Sequence, residues 1–143
     1  MENAIFTNMV MIEDGKGNVL VQDRLKNWKG LAFPGGKVEA HESFVESAVR
    51  EVKEETGLTV SNLSLCGVKQ FQTNSNERYV VFLYKTHTYK GKTQSSDEGE
   101  VKWIPLASLK KEKTVEDFHL MLEVFMNNEV SELYYTESNA IVI

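Results

Sequence analysis

The sequence predicts an α/β (α+β) fold of the layered kind, a mixed β-sheet with helices packed against it. Three observations predict it. Apolar, β-compatible runs recur along most of the length, while helical spacing marks two segments, near residues 43–56 and 114–126. The first of these helices falls between strands. No Pro/Ser-rich linker, repeat or low-complexity stretch interrupts the 143 residues, so one domain over 1–143 is expected, large enough for a real core.

The elements follow in order. Ala4–Ile12 is apolar and reads as a strand. Glu13-Asp-Gly-Lys-Gly-Asn18 reads as a hairpin-type turn, with Val19–Gln22 returning as a second strand. Leu31–Phe33 is a short strand leading into a glycine loop. Ser43 followed by Glu46 is a capping box, which starts a helix at about Phe44. Val45, Ala48, Val49 and Val52 form its apolar stripe, and Gly57 suits the left-handed position past its end. Leu63–Gln72 is a long strand, Thr73–Asn76 a turn, and Arg78–His87 the next strand, with Val80, Phe82 and Tyr84 on one face. Tyr89–Gly99 is a polar loop and Val101–Ile104 a strand. Thr114–Met126 carries apolar residues at helical spacing, with Asn127 and Asn128 as stops. The tail, Leu133–Ile143, adds an edge strand or covers the core.

Composition excludes several classes. A hydrophobic fraction of 41% and a charged fraction of 26% are those of an ordinary globular chain. There is no 18-residue apolar run and no signal-peptide pattern at the N-terminus, so no membrane span is expected. The single cysteine, Cys66, makes no internal disulfide, and these features together point to the cytoplasm. A net charge of −5 without a basic stripe argues against a nucleic-acid polymer as partner. His41, His87 and His119 have no zinc-ligand spacing.

The chemistry is concentrated between Gly36 and Leu58. This stretch fits Gly-x5-Glu-x7-Arg-Glu-U-x-Glu-Glu-x-Gly-U, with U a bulky aliphatic, without a gap. Nine of its 23 positions are specified, a chance match of roughly one in 10⁹ per starting position. Glu51, Glu54 and Glu55 stand at i, i+3 and i+4, which crowds three carboxylates along one edge of the helix. A solvated acidic face would leave Glu42, Arg50 and the glycines at their fixed offsets unexplained. Hard oxygen donors clustered in this way suit Mg²⁺ or Mn²⁺. In Phe33-Pro34-Gly35-Gly36-Lys37 the two glycines allow close backbone approach to phosphate or metal, and Lys37 adds positive charge.

The stretch resembles the Nudix box, the signature of hydrolases that split nucleoside diphosphates linked to another group. The resemblance extends with weaker cues over roughly residues 4–110 and implies a Nudix-type α/β/α sandwich. It implies that Glu54 and Glu55 are the main metal ligands, joined by the Gly36 carbonyl. Glu51 is then a further ligand or the general base, Arg50 holds the carboxylates by a salt bridge, and Glu42 is an outer or weak ligand. The base is left open between Glu51 and Glu98.

Features outside the box are similar to the MutT-type branch, which hydrolyses nucleoside triphosphates such as 8-oxo-dGTP to the monophosphate and pyrophosphate. Phe33, Gly35 and Lys37 are the candidates for substrate contact before the helix. Arg78 resembles that branch's arginine near the nucleotide. Ser96-Asp97-Glu98-Gly99 resembles a loop supplying a further metal-binding glutamate, assigned to Glu98 with Asp97 and Glu100 as competitors. Arg24 contacts a phosphate or base, or is a surface arginine. Glu116 and Asp117 read the base, or are first-turn acids on a helix dipole. Trp28 lines the substrate mouth or packs; Phe71, Tyr79 and Phe82 stack on a base or pack; Trp103 is core.

The expected activity is Mg²⁺-dependent pyrophosphohydrolysis of a nucleoside triphosphate by a monomer or homodimer. The alternatives are a Nudix enzyme for an ADP-sugar, dinucleoside polyphosphate or capped RNA, and a nucleotide-sensing Nudix module. A further role for residues 129–143 is a dimer interface.

Overall fold

The structure, a computed structural model, describes residues 1–143. Ten strands, two α-helices and one 3₁₀ turn follow one another as β1 (Asn3–Ile12), β2 (Asn18–Arg24), β3 (Gly30–Ala32), α1 (Phe44–Thr56), β4 (Thr59–Ser61), β5 (Ser64–Asn74), β6 (Glu77–Thr86), β7 (Thr88–Lys90), β8 (Gly99–Pro105), a 3₁₀ turn (Leu106–Lys111), α2 (Phe118–Met126), β9 (Glu132–Tyr135) and β10 (Ala140–Val142). The main sheet is mixed, in the order β1-β6-β5-β9-β10. β1 and β6 run parallel over their full length, from Asn3 opposite Glu77 to Ile12 opposite Thr86. A second sheet has the order β3-β2-β8, and β4 pairs with β7. No helix is long and apolar enough to cross a membrane.

Strand alternation creates two cores. Met11, Val19, Val21, Val81 and Leu83 pack with Phe118, Met121, Val124 and Phe125 of α2. Their sequence neighbours Val10, Ile12, Leu20 and Tyr84 pack with Ala48 and Val52 of α1. Successive residues of β1 and β2 thus serve opposite faces, and the helices sit on the two sides of the strands.

The structure corrects several expectations. The 13–18 turn does not make a β1–β2 hairpin. The two strands share only a bridge between Glu13 and Val19, because one edge of β1 pairs with β6 and the other with residues 34–38, while β2 pairs with β3 and β8. Val45 is 45% exposed, and the buried side of α1 carries Ser47, Ala48, Val52, Glu55 and Thr56 instead. The last helix starts at Phe118, not Thr114. Leu31 N–H donates to Lys113 O and Val115 N–H to Leu31 O, so residues 113–115 extend the edge of β3. Asp117, at φ 59°, then turns the chain into the helix. β7 runs into the stretch read as polar loop, and β4 and the 3₁₀ turn lie where the sequence assigned no element. The tail forms two strands, with β10 at the sheet edge.

Candidate active site

The site grows from the local chemistry of α1. Ser43 Oγ accepts from Glu46 N–H (3.0 Å) and Glu46 Oε2 from Ser43 N–H (2.9 Å), which closes the predicted capping box. Gly57, at φ 83°, donates its N–H to Lys53 O and ends the helix in the left-handed cap. The ends fix which way the acidic edge points.

Opposite that edge lies the glycine loop, pinned to β1. Asn8 N–H donates to Gly36 O (2.9 Å) and Val10 N–H to Pro34 O (2.8 Å). The Asn8 side chain completes the joint: Oδ1 accepts from Gly36 N–H (3.1 Å), and Nδ2 donates to Ser47 Oγ of α1 (3.0 Å). Asn8 and Ser47 are buried and hold loop and helix in register, a role sequence reading missed because the partners are 39 residues apart. A Cβ on Gly35 would overlap the Asn8 carbonyl, and one on Gly36 would stand inside the Glu51 carboxyl group. Position 35 therefore requires glycine, whereas a side chain at position 36 would push the Glu51 carboxylate out of its place.

Arg50 organises the acids. Its Nε and Nη2 grip Glu42 at 2.7 and 2.9 Å, Nη1 reaches Glu51 Oε1 at 2.9 Å and Glu54 Oε2 at 3.3 Å, and Nη2 also donates to Lys37 O. Hydrogen bonds from Arg50 hold the Glu42 carboxyl down at about 2. Glu42 does not line the cavity; it buttresses Arg50. Burial pushes the Glu51 carboxyl up against the opposing pull of Arg50. Glu55 is 5% exposed and accepts from Gly35 N–H at 3.1 Å. Burial raises its pKa to about 7.

These groups border a cavity of about 600 Å³ with two ends of different chemistry. Glu51, Glu54, Glu55, Gly35, Gly36 and Lys37 meet Asp97 and Glu98 at the acidic end, with Arg24 beside them. Glu100 is not among the lining residues. Arg24 donates to Asn27 O (3.2 Å) and lowers the Glu55 pKa through its charge. The other end is floored by one face of three strands: Thr7 and Met9 of β1, Tyr79 and Val81 of β6, Lys69 and Phe71 of β5. Trp28, Val115, Glu116 and Met121 close it. Phe71 stacks on Tyr79 at 5.1 Å, and Trp28, itself 57% exposed, meets Tyr79 edge-on.

Other sequence candidates lie elsewhere. Arg78 does not border the cavity; Nε donates to Glu2 (2.6 Å) and Nη1 to Gln70 (2.9 Å), because its residue parity puts it on the opposite sheet face from Tyr79. Asp117 is also outside the lining. Its carboxylate accepts from Tyr135 OH (2.8 Å), and at the N-cap of α2 it makes no side-chain cap bond. Phe33 borders the cavity but is 1% exposed and wedged between Phe118 and Phe125, which makes it core. Phe82 stacks with Phe44 and Phe6 on the far sheet face. Trp103 is only partly buried, against Tyr89.

The donor set fits a hard divalent ion. Glu51, Glu54, Glu55 and the Gly36 carbonyl offer oxygen only, and the desolvated Glu55 carboxyl lacks a cationic hydrogen-bond partner of its own. No group of three or more acids, histidines or cysteines is arranged to hold a metal ion by itself, so an ion bound here would take much of its shell from water and phosphate.

With this geometry in hand, the chain belongs to the Nudix family: the profile described as NUDIX domain matches residues 6–124. Among curated relatives, the protein named uncharacterized Nudix hydrolase YvcI of Bacillus subtilis is 35% identical over 102 residues, 68% of this chain and 63% of that protein. An oxidized purine nucleoside triphosphate hydrolase of Danio rerio is 34% identical over 80 residues, 55% of this chain and 49% of that one. The ADP-ribose pyrophosphatase of Methanocaldococcus jannaschii is 31% identical over 116 residues, 76% of this chain and 69% of that one. The chain thus spans less than two thirds of the length of the first two. The crystal structure of the mutator MutT protein from Bacillus halodurans superposes with a TM-score of 0.77 at 24% identity, covering 96% of this chain and 94% of that one. That likeness speaks to the fold.

Proposed function

We propose that the chain hydrolyses a nucleoside triphosphate to the monophosphate and pyrophosphate. The observation that carries this reading is the two-ended cavity, acidic and oxygen-rich at one end and aromatic at the other. A substrate filling both ends has a phosphate chain and a flat ring system. The Danio rerio relative, named for oxidized purine nucleoside triphosphates, supports the same class.

Glu51, Glu54, Glu55 and the Gly36 carbonyl would hold Mg²⁺ (or Mn²⁺), which supplies charge neutralisation on phosphate and acidification of bound water. The remaining work belongs to side chains. Arg50 keeps Glu51 and Glu54 at the cavity wall. Lys37 attracts the phosphates, and Arg24 faces the same end. The proton of the attacking water passes to an acid at that end, with Glu51 and Glu98 as the candidates.

Turnover of a nucleotide panel with Mg²⁺, including 8-oxo-dGTP, dGTP and ADP-ribose, tests the reading by its products. Glu54→Gln and Glu55→Gln should each lower kcat at least about 10²-fold, as expected for loss of a charge-stabilising group. Wild-type turnover in both variants removes the mechanism. Cleavage of ADP-ribose and no triphosphate would replace the substrate class, in the direction of the Methanocaldococcus relative.

A further inference from the structure

Gln22 of β2 is fully buried, and neither amide atom, Nε2 nor Oε1, has a hydrogen-bond partner. The other buried polar side chains are all bonded: Thr7 to Val80 O, Asn8 to Ser47, Thr56 to Val52 O, Thr86 to Ser61 O, and Glu55 to Gly35 N–H. An amide buried with its donors and its acceptor idle loses its hydration without return. Methionine or leucine would fill the same place without that loss, so packing gives no reason for an amide here.

The surroundings of Gln22 give one. Parity puts its side chain on the strand face of Leu20, which packs with Ala48 and Val52 of α1. Its cross-strand neighbour on β8, Val101, belongs to the same core. Glu55 follows Val52 by three residues on that buried side of α1. On the other flank, Gln22 Cγ lies 3.4 Å from where a Cβ on Gly99 would stand, and Gly99 closes the turn with Ser96 that carries Glu98. Arg24, next on the same strand face, and Glu98 both act on Glu55 by charge. The amide therefore sits between the Glu55 helix and the Glu98 turn, behind the cavity wall. Glu55 itself takes one hydrogen bond, at Oε2, and a carboxylate can accept several.

We propose that Gln22 is a positioning residue for Glu55, its Nε2 donating to the Glu55 carboxylate once a divalent ion is bound. The bond is absent in the metal-free fold, where the amide is idle, and forms on loading. Carboxylates that ligate a metal are themselves held by outer hydrogen bonds. The assignment rests on the metal reading above and adds the group that steadies one of its ligands.

The test titrates Mn²⁺ alone into the wild type, Gln22→Met and Gln22→Leu, with free Mn²⁺ read by electron paramagnetic resonance. Melting of the metal-free proteins and kcat and KM for a nucleoside triphosphate are measured alongside. Both variants keep the bulk of the side chain and lack the amide. They should bind Mn²⁺ about 10–100-fold more weakly, the usual effect of losing an outer partner. Their kcat should fall while KM holds, and the metal-free variants should melt at or above the wild type. Added Mn²⁺ should raise the melting temperature of the wild type more than theirs. Wild-type Mn²⁺ affinity in both variants overturns the assignment while hydrolysis stands. Metal-free variants that melt well below the wild type, or fail to fold, also overturn it, because the amide then serves the fold itself. A wild type that takes up no Mn²⁺ removes the metal reading and this assignment together.

Discussion

At the scale of single residues, Arg50 is the organising charge, and Glu42 is what keeps it in place. Hydrogen bonds from Arg50 lower the folded pKa of Glu42 from 4.5 to about 2. A depressed carboxylate stabilises the fold above its unfolded pKa, and that contribution is lost as pH falls from about 4.5 through about 2. Glu42→Gln should therefore melt below wild type at neutral pH in chelator-treated buffer, and the two melting curves should converge as the pH approaches 2. A gap that stays constant with pH would mean the pair acts through packing alone. The box acids and Arg50 were legible in the sequence because one helix carries most of them at fixed intervals. Lys69 was not read as a site residue, since only the pairing of β5 within the sheet brings it to the cavity. Arg78 misled because its strand was correct but its face was not, and a one-residue change of parity moves a side chain through the sheet.

At the scale of elements, α1 was legible to the residue because its signals are local: a capping box at one end and a left-handed glycine at the other. Gly57→Ala tests the second signal. Its φ of 83° is unfavourable for alanine, and the new Cβ would come within 2.8 Å of the Lys92 carbonyl oxygen. The expected loss is about 1–3 kcal/mol, read by urea denaturation. Activity should fall as well, because the last turn carries Glu54 and Glu55; unchanged stability would show that another cap replaces it. The misread elements are those whose partners are distant. The Asp14–Asn18 turn has the chemistry of a hairpin, with Asp14 accepting from Asn18 N–H, yet the strands on either side find other partners. Val115 fits a helical spacing but is used at the edge of β3.

At the scale of the whole molecule, the two cores meet along β1 and β2, and Phe33 sits in the one that also supports the cavity. Its ring packs at 4.9 Å from Phe118 and 5.2 Å from Phe125. Phe33→Ala should cost about 3–5 kcal/mol, a large part of the roughly 5–15 kcal/mol by which a domain is stable. A thermal melt would show it; a variant with wild-type melting and altered KM would return Phe33 to the substrate. The mixed sheet and its helices were legible as a class, while the parallel β1–β6 pairing was not, since nothing near Asn3 announces a partner at Glu77. That pairing has a consequence during synthesis. A ribosome adding about 5–20 residues per second leaves β1 outside its sheet for seconds before β6 is translated. Throughout that interval the nascent chain exposes an unpaired, apolar edge, open to capture by chaperones or by neighbouring chains.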